Sequence, residues 1–160
     1  MIIEYISGDL LDHDGPIAHG VNCQGVMASG VAKVIREKWP EFFAKFHKTS
    51  KLYAPEELLG KIDFVYTTLT TSGEYEDSPY FLGCNLYTQL NYGREGYRYA
   101  SYDAIAKCFE SLNLRHDREF RGKVLGIPKI GAGLGGGDWS VIESIINSST
   151  PDLNIVVYVL

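Results

Sequence analysis

Residues 127–139 read IPKIGAGLGGGDW, and five of these residues are glycine. An apolar run from Val124 to Ile127 leads into the stretch, and a helical pattern from Val141 to Ile146 follows it. Glycine lacks a Cβ, so backbone N–H groups can approach a phosphate closely. The helix start adds unpaired donors and a positive dipole end. This order predicts a phosphate or diphosphate site; a flexible surface turn is the alternative, because the spacing matches neither the Walker nor the dinucleotide fingerprint.

The composition is that of an ordinary globular protein. The 160 residues, 45% hydrophobic and 22% charged, predict one domain over residues 1–160 that buries a real core. The net charge of −5 provides no overall basic field and argues against sequence-specific nucleic-acid binding. It still permits a nucleotide-like small ligand, which backbone dipoles can hold.

Targeting and metal signals are missing from the sequence. No apolar run approaches the roughly 20 residues that span a membrane, and the N-terminus has no signal-peptide pattern. The three cysteines and four histidines show no metal-ligand spacing. We therefore expect a cytoplasmic, reduced setting, no membrane partner, no metal and no cofactor.

Strand and helix patterns alternate along most of the chain. The sequence predicts strands at Ile2–Ile6, Ile17–Val21, Tyr80–Thr88, Val124–Ile127 and Ile155–Leu160, one or two strands within Leu59–Leu69, a helix after Val31 that Pro40 interrupts, and helices over Ala104–Leu112 and Ser140–Asn147. This alternation predicts a mixed sheet with helices on both faces. Two glycine loops, 22–30 and 130–137, each follow a strand. Ligands bind at the carboxyl ends of strands in such sheets, so we expect both loops at one crevice.

Several polar residues near these loops are candidates for chemistry, each with an ordinary alternative. His19 projects from one face of its strand and is either an acid, base or electrostatic partner or a buried structural histidine. Asn22 suits a ribose diol or forms an Asx turn. Asp9 can accept from an adenine amine or cap a turn. Asp138 is the predicted N-cap of the last helix, and a role in orienting water is also open. Cys23 has no partner that would support a nucleophile.

Two further segments are candidate ligand contacts. Gly25, Ser29 and Gly30 precede the first helix and suit backbone donation to a phosphate. A loop after the Tyr80–Thr88 strand carries residues that either clamp a ligand or form a solvated surface: Asn91, Tyr92, Arg94 and Tyr97.

Five motifs together resemble those of macrodomains, the ADP-ribose-binding modules: GDLL (8–11), IAHGVN (17–22), SGVA (29–32), PKIGAGL (128–134) and IVVYVL (155–160). The resemblance covers nearly the full length and implies a three-layer α/β/α fold with a central mixed sheet of six or seven strands. It implies that Asp9 meets the adenine amine, that Asn22 lies near the distal ribose, and that the two glycine loops hold the diphosphate. The expected ligand-binding residues are Gly8, Asp9, Leu10, Asn22, Gln24, Gly25, Met27, Ser29, Gly30, Val31, Ile130, Gly131, Ala132, Gly133, Leu134, Gly135, Gly136 and Gly137.

Within that family, His19 and the ending VYVL resemble the branch of ADP-ribose-1″-phosphate phosphatases and terminal ADP-ribose protein glycohydrolases. By resemblance, the glycohydrolases use a lysine where this chain has Gln89 and an aspartate where it has Gly135, unless Asp138 substitutes. The pattern HxxNCxG, from His19 to Gly25, is shared with the phosphatases, which do not need that lysine.

The leading expectation is therefore hydrolysis of ADP-ribose 1″-phosphate to ADP-ribose and phosphate. Its candidate catalytic residues are His19, Asn22 and Asp138, and water is the default nucleophile. Three alternatives stay open: a reader of ADP-ribose without chemistry, removal of ADP-ribose from protein or nucleic acid by another route, and a purely structural protein. ADP-ribosylated macromolecules are further candidate partners.

Overall fold

A computed structural model of the protein describes residues 1–28, 30–67, 80–93 and 98–160. The strands are β1 (Ile2–Ser7), β2 (Ile17–Asn22), β3 (Ile62–Tyr66), β4 (Phe81–Gln89), β5 (Leu125–Ile127) and β6 (Ile155–Val159). The α-helices are α1 (Gly30–Lys38), α2 (Pro40–Ser50), α3 (Pro55–Leu58), α4 (Tyr102–Asn113) and α5 (Trp139–Ser149), and a 3-10 helix covers Leu10–Asp12.

The strands form one six-stranded sheet in the order β1-β6-β5-β2-β4-β3. Neighbouring strands run parallel except β3, which pairs antiparallel with β4. The mixed sheet predicted from the sequence is confirmed, with six strands. Because β2, β4 and β5 are parallel, their carboxyl ends meet at one edge of the sheet, where the two glycine loops begin.

Helices cover both faces of the sheet, which confirms the three-layer prediction. Alternate residues of β4 point to opposite layers: Cys84 and Leu86 join the large cluster with α4 and α5, whereas Tyr87 packs with Phe46 of α2. The strand is buried on both faces, as its nearly continuous apolar sequence predicts.

The element predictions needed small corrections. One strand, Ile62–Tyr66, occupies the stretch in which one or two were expected, and residues 68–69 of that stretch lie outside the described residues. The 3-10 helix and α3 were missed because three or four residues are too few to show helical periodicity. Pro40 does separate two helices, since it stands as the first residue of α2. In the described part of the chain, no helix is long and apolar enough to cross a membrane.

Candidate functional site

A cleft of about 380 Å³ opens at the carboxyl ends of β2 and β4. The structure brings both glycine loops together on its walls, as the sequence predicts. Its lining residues are His19, Gly20, Val21, Asn22, Val26, Met27, Ala28, Gly30, Val31, Ala32, Thr88, Gln89, Tyr92, Gly93, Pro128, Lys129, Ile130, Gly131, Gly133, Leu134 and Gly135.

Asn22 shapes the first loop from within. Its Oδ1 accepts from the backbone N–H of Gln24 at 3.0 Å and of Val26 at 3.4 Å. Its Nδ2 donates to the carbonyl of Val26 at 2.7 Å. The side chain, 8% exposed, therefore forms the Asx turn that was the alternative to a ligand contact, while it also lines the cleft.

Arg36 ties the same loop to the helices behind it. Its Nη1 donates to the carbonyl of Met27 at 3.3 Å, and its guanidinium lies 3.6 Å from the ring centroid of Phe43 in α2. Met27 itself is buried and packs in the cluster around Phe46. Arg36 and Met27 thus hold the first loop against α1 and α2.

The second loop is folded tightly on itself. The Gly137 N–H donates to the carbonyl of Gly131 at 2.7 Å, and the carbonyl of Gly135 accepts from Tyr99 and Ala100 at 2.7 and 3.0 Å. A Cβ at position 135 would lie 2.7 Å from the Gly131 oxygen, and one at 137 would lie 2.8 Å from it. Glycine at these two positions is required by the loop itself.

Backbone donors line the cleft from both loops. Among the described residues, the N–H groups of Met27 and Ala28 donate to no protein acceptor. The first turn of α1, which begins at Gly30, adds N–H groups without helical partners. In the second loop, the N–H groups without an acceptor in the described part of the chain are those of Gly131, Gly133, Leu134 and Gly135. Two sets of unpaired donors that face one cavity form an anion-binding arrangement.

The charged side chains that are described in the cleft lining have one sign. This lining includes Lys129 and no aspartate or glutamate, although the whole chain carries a net charge of −5. Among the described residues, an anionic ligand therefore meets a lysine and backbone dipoles without an opposing carboxylate.

His19 lies on the wall of the cleft but is only 1% exposed. Its Nε2 is 2.6 Å from Oδ1 of Asn85, and its ring meets that of Phe42 edge-on at 5.7 Å. The Nδ2 of Asn85 donates to the Phe42 carbonyl at 3.0 Å and to Oδ2 of Asp63 at 3.1 Å. This amide orientation makes Oδ1 the acceptor, so we assign the proton of His19 to Nε2.

This environment keeps the imidazole neutral. Burial lowers the pKa of His19 to about 4, and the hydrogen bond to Asn85 opposes that shift only in part. The other ring nitrogen, Nδ1, is buried and has no partner among the described residues. At neutral pH, Nδ1 of His19 is therefore a hydrogen-bond acceptor, and Nε2–H already donates to Asn85.

Three predicted ligand-binding residues of the GDLL motif do not line the cleft. Asp9 caps the 3-10 helix, with its Oδ1 accepting from the Leu11 N–H at 2.9 Å. Gly8 precedes it, and Leu10 is buried in a core cluster with Ile35. The structure thus shows Asp9 as a cap, and its contact with an adenine amine stays a prediction.

Asp138 also lies outside the described lining. Its Oδ1 accepts from the N–H and the hydroxyl of Ser140 at 2.9 and 2.8 Å, which lowers the pKa of this exposed carboxyl. The N-cap prediction is confirmed. Five other predicted residues belong to the two loops but do not line the cleft: Gln24, Gly25, Ala132, Gly136 and Gly137. Three predicted residues lie outside the described residues: Ser29, Arg94 and Tyr97.

Cys23 is not activated. Burial, together with the charge of Glu56, raises the pKa of its thiol to about 11. A thiol that stays protonated is a poor nucleophile, which agrees with the absence of a supporting partner in the sequence.

No family model matches the chain. An uncharacterized 17.5 kDa protein from the tk-vs intergenic region of Enterobacteria phage T4 is 32% identical over 98% of this chain and 96% of its own length. The ADP-ribose 1″-phosphate phosphatase of Scheffersomyces stipitis is 28% identical over 98% of this chain and 99% of its own length.

The macrodomain of Mycobacterium tuberculosis DarG matches 99% of this chain and 97% of its own, with a TM-score of 0.73 and 28% identity. The chain belongs to the macrodomain family. The DNA ADP-ribosyl glycohydrolase of Mycobacterium tuberculosis is 30% identical over 98% of this macrodomain, which spans 42% of that protein's length.

Sequence reasoning missed part of the macrodomain's cleft. Thr88 lies near the end of β4 at the same edge as the first loop, so the rule of carboxyl ends would have found it. Gln89, which follows it in the lining, was named only as the position of the lysine of the glycohydrolases. A Cβ at Gly20 would lie 2.6 Å from Oγ1 of Thr88, so this glycine lets the two strands pack beneath the cleft. Lys129 lies inside the PKIGAGL motif, but the prediction of a phosphate site used only the glycines of that motif.

Proposed function

We propose that this macrodomain binds ADP-ribose in the cleft and hydrolyses ADP-ribose 1″-phosphate to ADP-ribose and phosphate. The observation that carries the proposal is that residues of both loops, with N–H groups that have no described acceptor, line one cavity without a described carboxylate. A ligand with a diphosphate and a terminal phosphate is the kind of anion that such a cavity stabilises. The phosphatase names of full-length relatives support the choice of substrate.

In the proposed reaction, a water oxygen adds to the terminal phosphorus and the bond from phosphorus to the C1″ oxygen breaks. The proton that water loses balances the proton that the leaving oxygen gains. Fixed N–H groups of the two loops and the ammonium of Lys129 would stabilise the charge on the phosphoryl oxygens without reorganisation in the transition state. These groups contribute electrostatic and positioning catalysis.

His19 enters this scheme as a neutral residue. Its Nε2–H is committed to Asn85, and a pKa of about 4 leaves no imidazolium at neutral pH to act as an acid. We therefore propose that His19 orients the floor of the cleft and that Asn22 holds the first loop around the ribose and phosphate. A role for Asp138 in orienting water stays a prediction, made from its place at the end of the second loop.

A reader without catalysis is the second candidate. It is favoured by the same cleft, because no described lining residue offers a carboxylate as a general base, and a pKa of about 4 makes the buried imidazole of His19 a weak base. A glycohydrolase has less support. Gln89 and Gly135 stand where the resemblance implies catalytic lysine and aspartate, and Nε2 of Gln89 already donates to the carbonyl of Asn91 at 2.8 Å.

The test is phosphate release from ADP-ribose 1″-phosphate, with ADP-ribose affinity measured by calorimetry on the same sample. Lys129→Glu places a carboxylate in the cleft and is expected to lower both affinity and release at least about tenfold. Lys48→Glu, an equal charge change on the exposed surface of α2, is the matched control. Binding without release would favour the reader, and absence of both binding and release would contradict both candidates.

We further propose that the protein works in the cytoplasm. Cys23, Cys84 and Cys108 are all free and buried, which suits a reducing compartment. ADP-ribosylated macromolecules are additional candidate ligands, and the glycohydrolase name of one relative supports them.

A further inference from the structure

A second groove runs along the outer side of β3, between α2 and the end of α4. It encloses about 820 Å³ and shares no lining residue with the first cleft. In the described part of the chain, β3 pairs with β4 alone, so its other edge faces this groove. The function proposed above makes no use of it.

The solvent-facing charge of the groove is positive. Lys45, Lys61 and Arg115 line it, and the one acidic residue in its described lining is Asp63. Asp63 is 2% exposed, and its carboxylate accepts hydrogen bonds inside the protein, from Thr49 at 2.7 Å among others. Arg115 shares its charge with Glu119 at 2.6 Å. The two lysines of the described lining are Lys45, which also acts electrostatically on the buried Asp63, and Lys61.

This local charge contrasts with that of the whole chain. The net charge is −5, and no lysine or arginine precedes Lys33, whereas Glu4, Asp9 and Asp12 are exposed at the β1 side. The described lining of the groove thus differs in sign from the net charge of the chain, and a polyanion in contact with that lining meets a local attraction.

Aromatic rings alternate with these cations. Tyr53 and Tyr66 are 40% and 37% exposed at the groove. The Nζ of Lys61 lies 4.6 Å from the Tyr53 ring centroid, and the guanidinium of Arg115 lies 4.7 Å from that of Phe64. A basic groove with exposed rings is the arrangement that holds a single strand, with phosphates on the cations and bases against the rings.

We propose that the β3 groove binds single-stranded nucleic acid, with phosphates at Lys45 and Lys61 and unstacked bases at Tyr53 and Tyr66. An extended peptide could also add to the open edge of β3 through backbone hydrogen bonds. That mode needs neither the cations nor the rings, so the side chains favour the nucleic acid.

The test is the fluorescence anisotropy of a labelled 15-mer of deoxythymidine between 50 and 200 mM NaCl. Two phosphate contacts, at Lys45 and Lys61, predict that affinity falls about sevenfold over this range, since each contributes about −0.7 to the log–log salt slope. In Lys45→Gln/Lys61→Gln, this salt dependence is expected to be largely lost. The control Lys33→Gln/Lys38→Gln has the same net charge and is expected to keep the wild-type slope.

A second variant examines the rings. Tyr53→Ala is expected to weaken binding about fivefold or more, because stacking of a base on an aromatic ring contributes about 1–3 kcal/mol. A labelled 15-mer of glutamate, which has charge but no bases, is expected to bind at least about tenfold more weakly than the oligonucleotide.

Several results would overturn the proposal. They are no binding of the oligonucleotide at 50 mM NaCl, equal slopes for the two double variants, equal affinity for the glutamate peptide, or displacement of the oligonucleotide by ADP-ribose. Equal thermal melting of all the variants guards against loss of folding as the cause. None of these readouts depends on whether the first cleft is catalytic.

Discussion

Lowering the pH from 7.5 to 5 should destabilise this protein through His19. The pKa of the buried imidazole is about 4, against an ordinary value of 6.5 that we take for the unfolded chain. The folded state thus binds fewer protons than the unfolded state between these two values. The contribution of His19 to stability is complete above pH 6.5 and is lost as the pH falls toward 4.

The magnitude follows from the two pKa values. At pH 5, protonation stabilises the unfolded state far more than the folded state, and the difference is about 2 kcal/mol. The group is 1% exposed, so solvent screening does not reduce this figure. Burial raises the pKa of Asp63, in the same network, and that shift acts in the opposite direction. A comparison of the wild type with a variant that cannot titrate at position 19 removes this second effect.

The assay is urea unfolding followed by tryptophan fluorescence at pH 7.5 and at pH 5, for the wild type and His19→Gln. Glutamine keeps an amide that can donate to Asn85 but does not titrate. The wild type is expected to lose about 2 kcal/mol more than the variant, which is a midpoint shift of about 1 M for an m-value near 2 kcal/mol/M. His116→Gln, at an exposed histidine, is the control and should follow the wild type.

Parallel losses in the wild type and His19→Gln would refute the reasoning. They would mean that His19 titrates as it does in the unfolded chain, and that it is available as an acid near neutral pH. The neutral role that we propose for it in the cleft would then have to be abandoned.

Three further predictions concern the loops. Lys129→Gln should weaken ADP-ribose binding about threefold to fivefold in calorimetry, and 0.5 M NaCl should shrink that difference by screening an exposed charge; an unchanged difference would count against an ionic contact. Gly135→Ala should lower the melting temperature clearly more than Gly133→Ala, because only the first Cβ meets the Gly131 carbonyl; equal melting temperatures would contradict the loop geometry. Asn22→Ala should cost about 1–3 kcal/mol in urea unfolding through three lost loop hydrogen bonds, and a stability equal to the wild type would show that the loop does not need them.

The fold was predictable because its signals are regular and long. Apolar strands such as β4 and the helical stripe of α4 repeat over enough residues to show their period, and alternation of strands with helices fixes the layers. The 3-10 helix at Leu10–Asp12 and α3 contain too few residues to show any period. Their positions follow from turn and proline chemistry and were not found from hydrophobicity.

The parts of the cleft formed by continuous stretches of sequence were predictable, and the parts formed by contacts between distant residues were not. The two glycine loops could be predicted because each is a continuous stretch after a strand. Asn85 is different: it touches His19 from a strand 66 residues away, and its hydrogen bonds decide which nitrogen of the imidazole carries the proton. No local pattern around His19 contains that information, so the sequence left its role open.

Two physical causes can require glycine in the second loop: close approach of a ligand to the backbone, and packing of the loop on itself. The entropy lost by ordering a glycine-rich stretch is one argument for a bound ligand, yet Gly135 and Gly137 are required simply because the loop packs on the carbonyl of Gly131. A Cβ at Gly133 would meet no atom within 4 Å, so packing does not require glycine at that position. The count of glycines is therefore weak support for phosphate binding. The stronger support is that, among the described residues, the N–H groups of Gly131, Gly133, Leu134 and Gly135 have no protein acceptor, while these residues line a cavity without a described carboxylate.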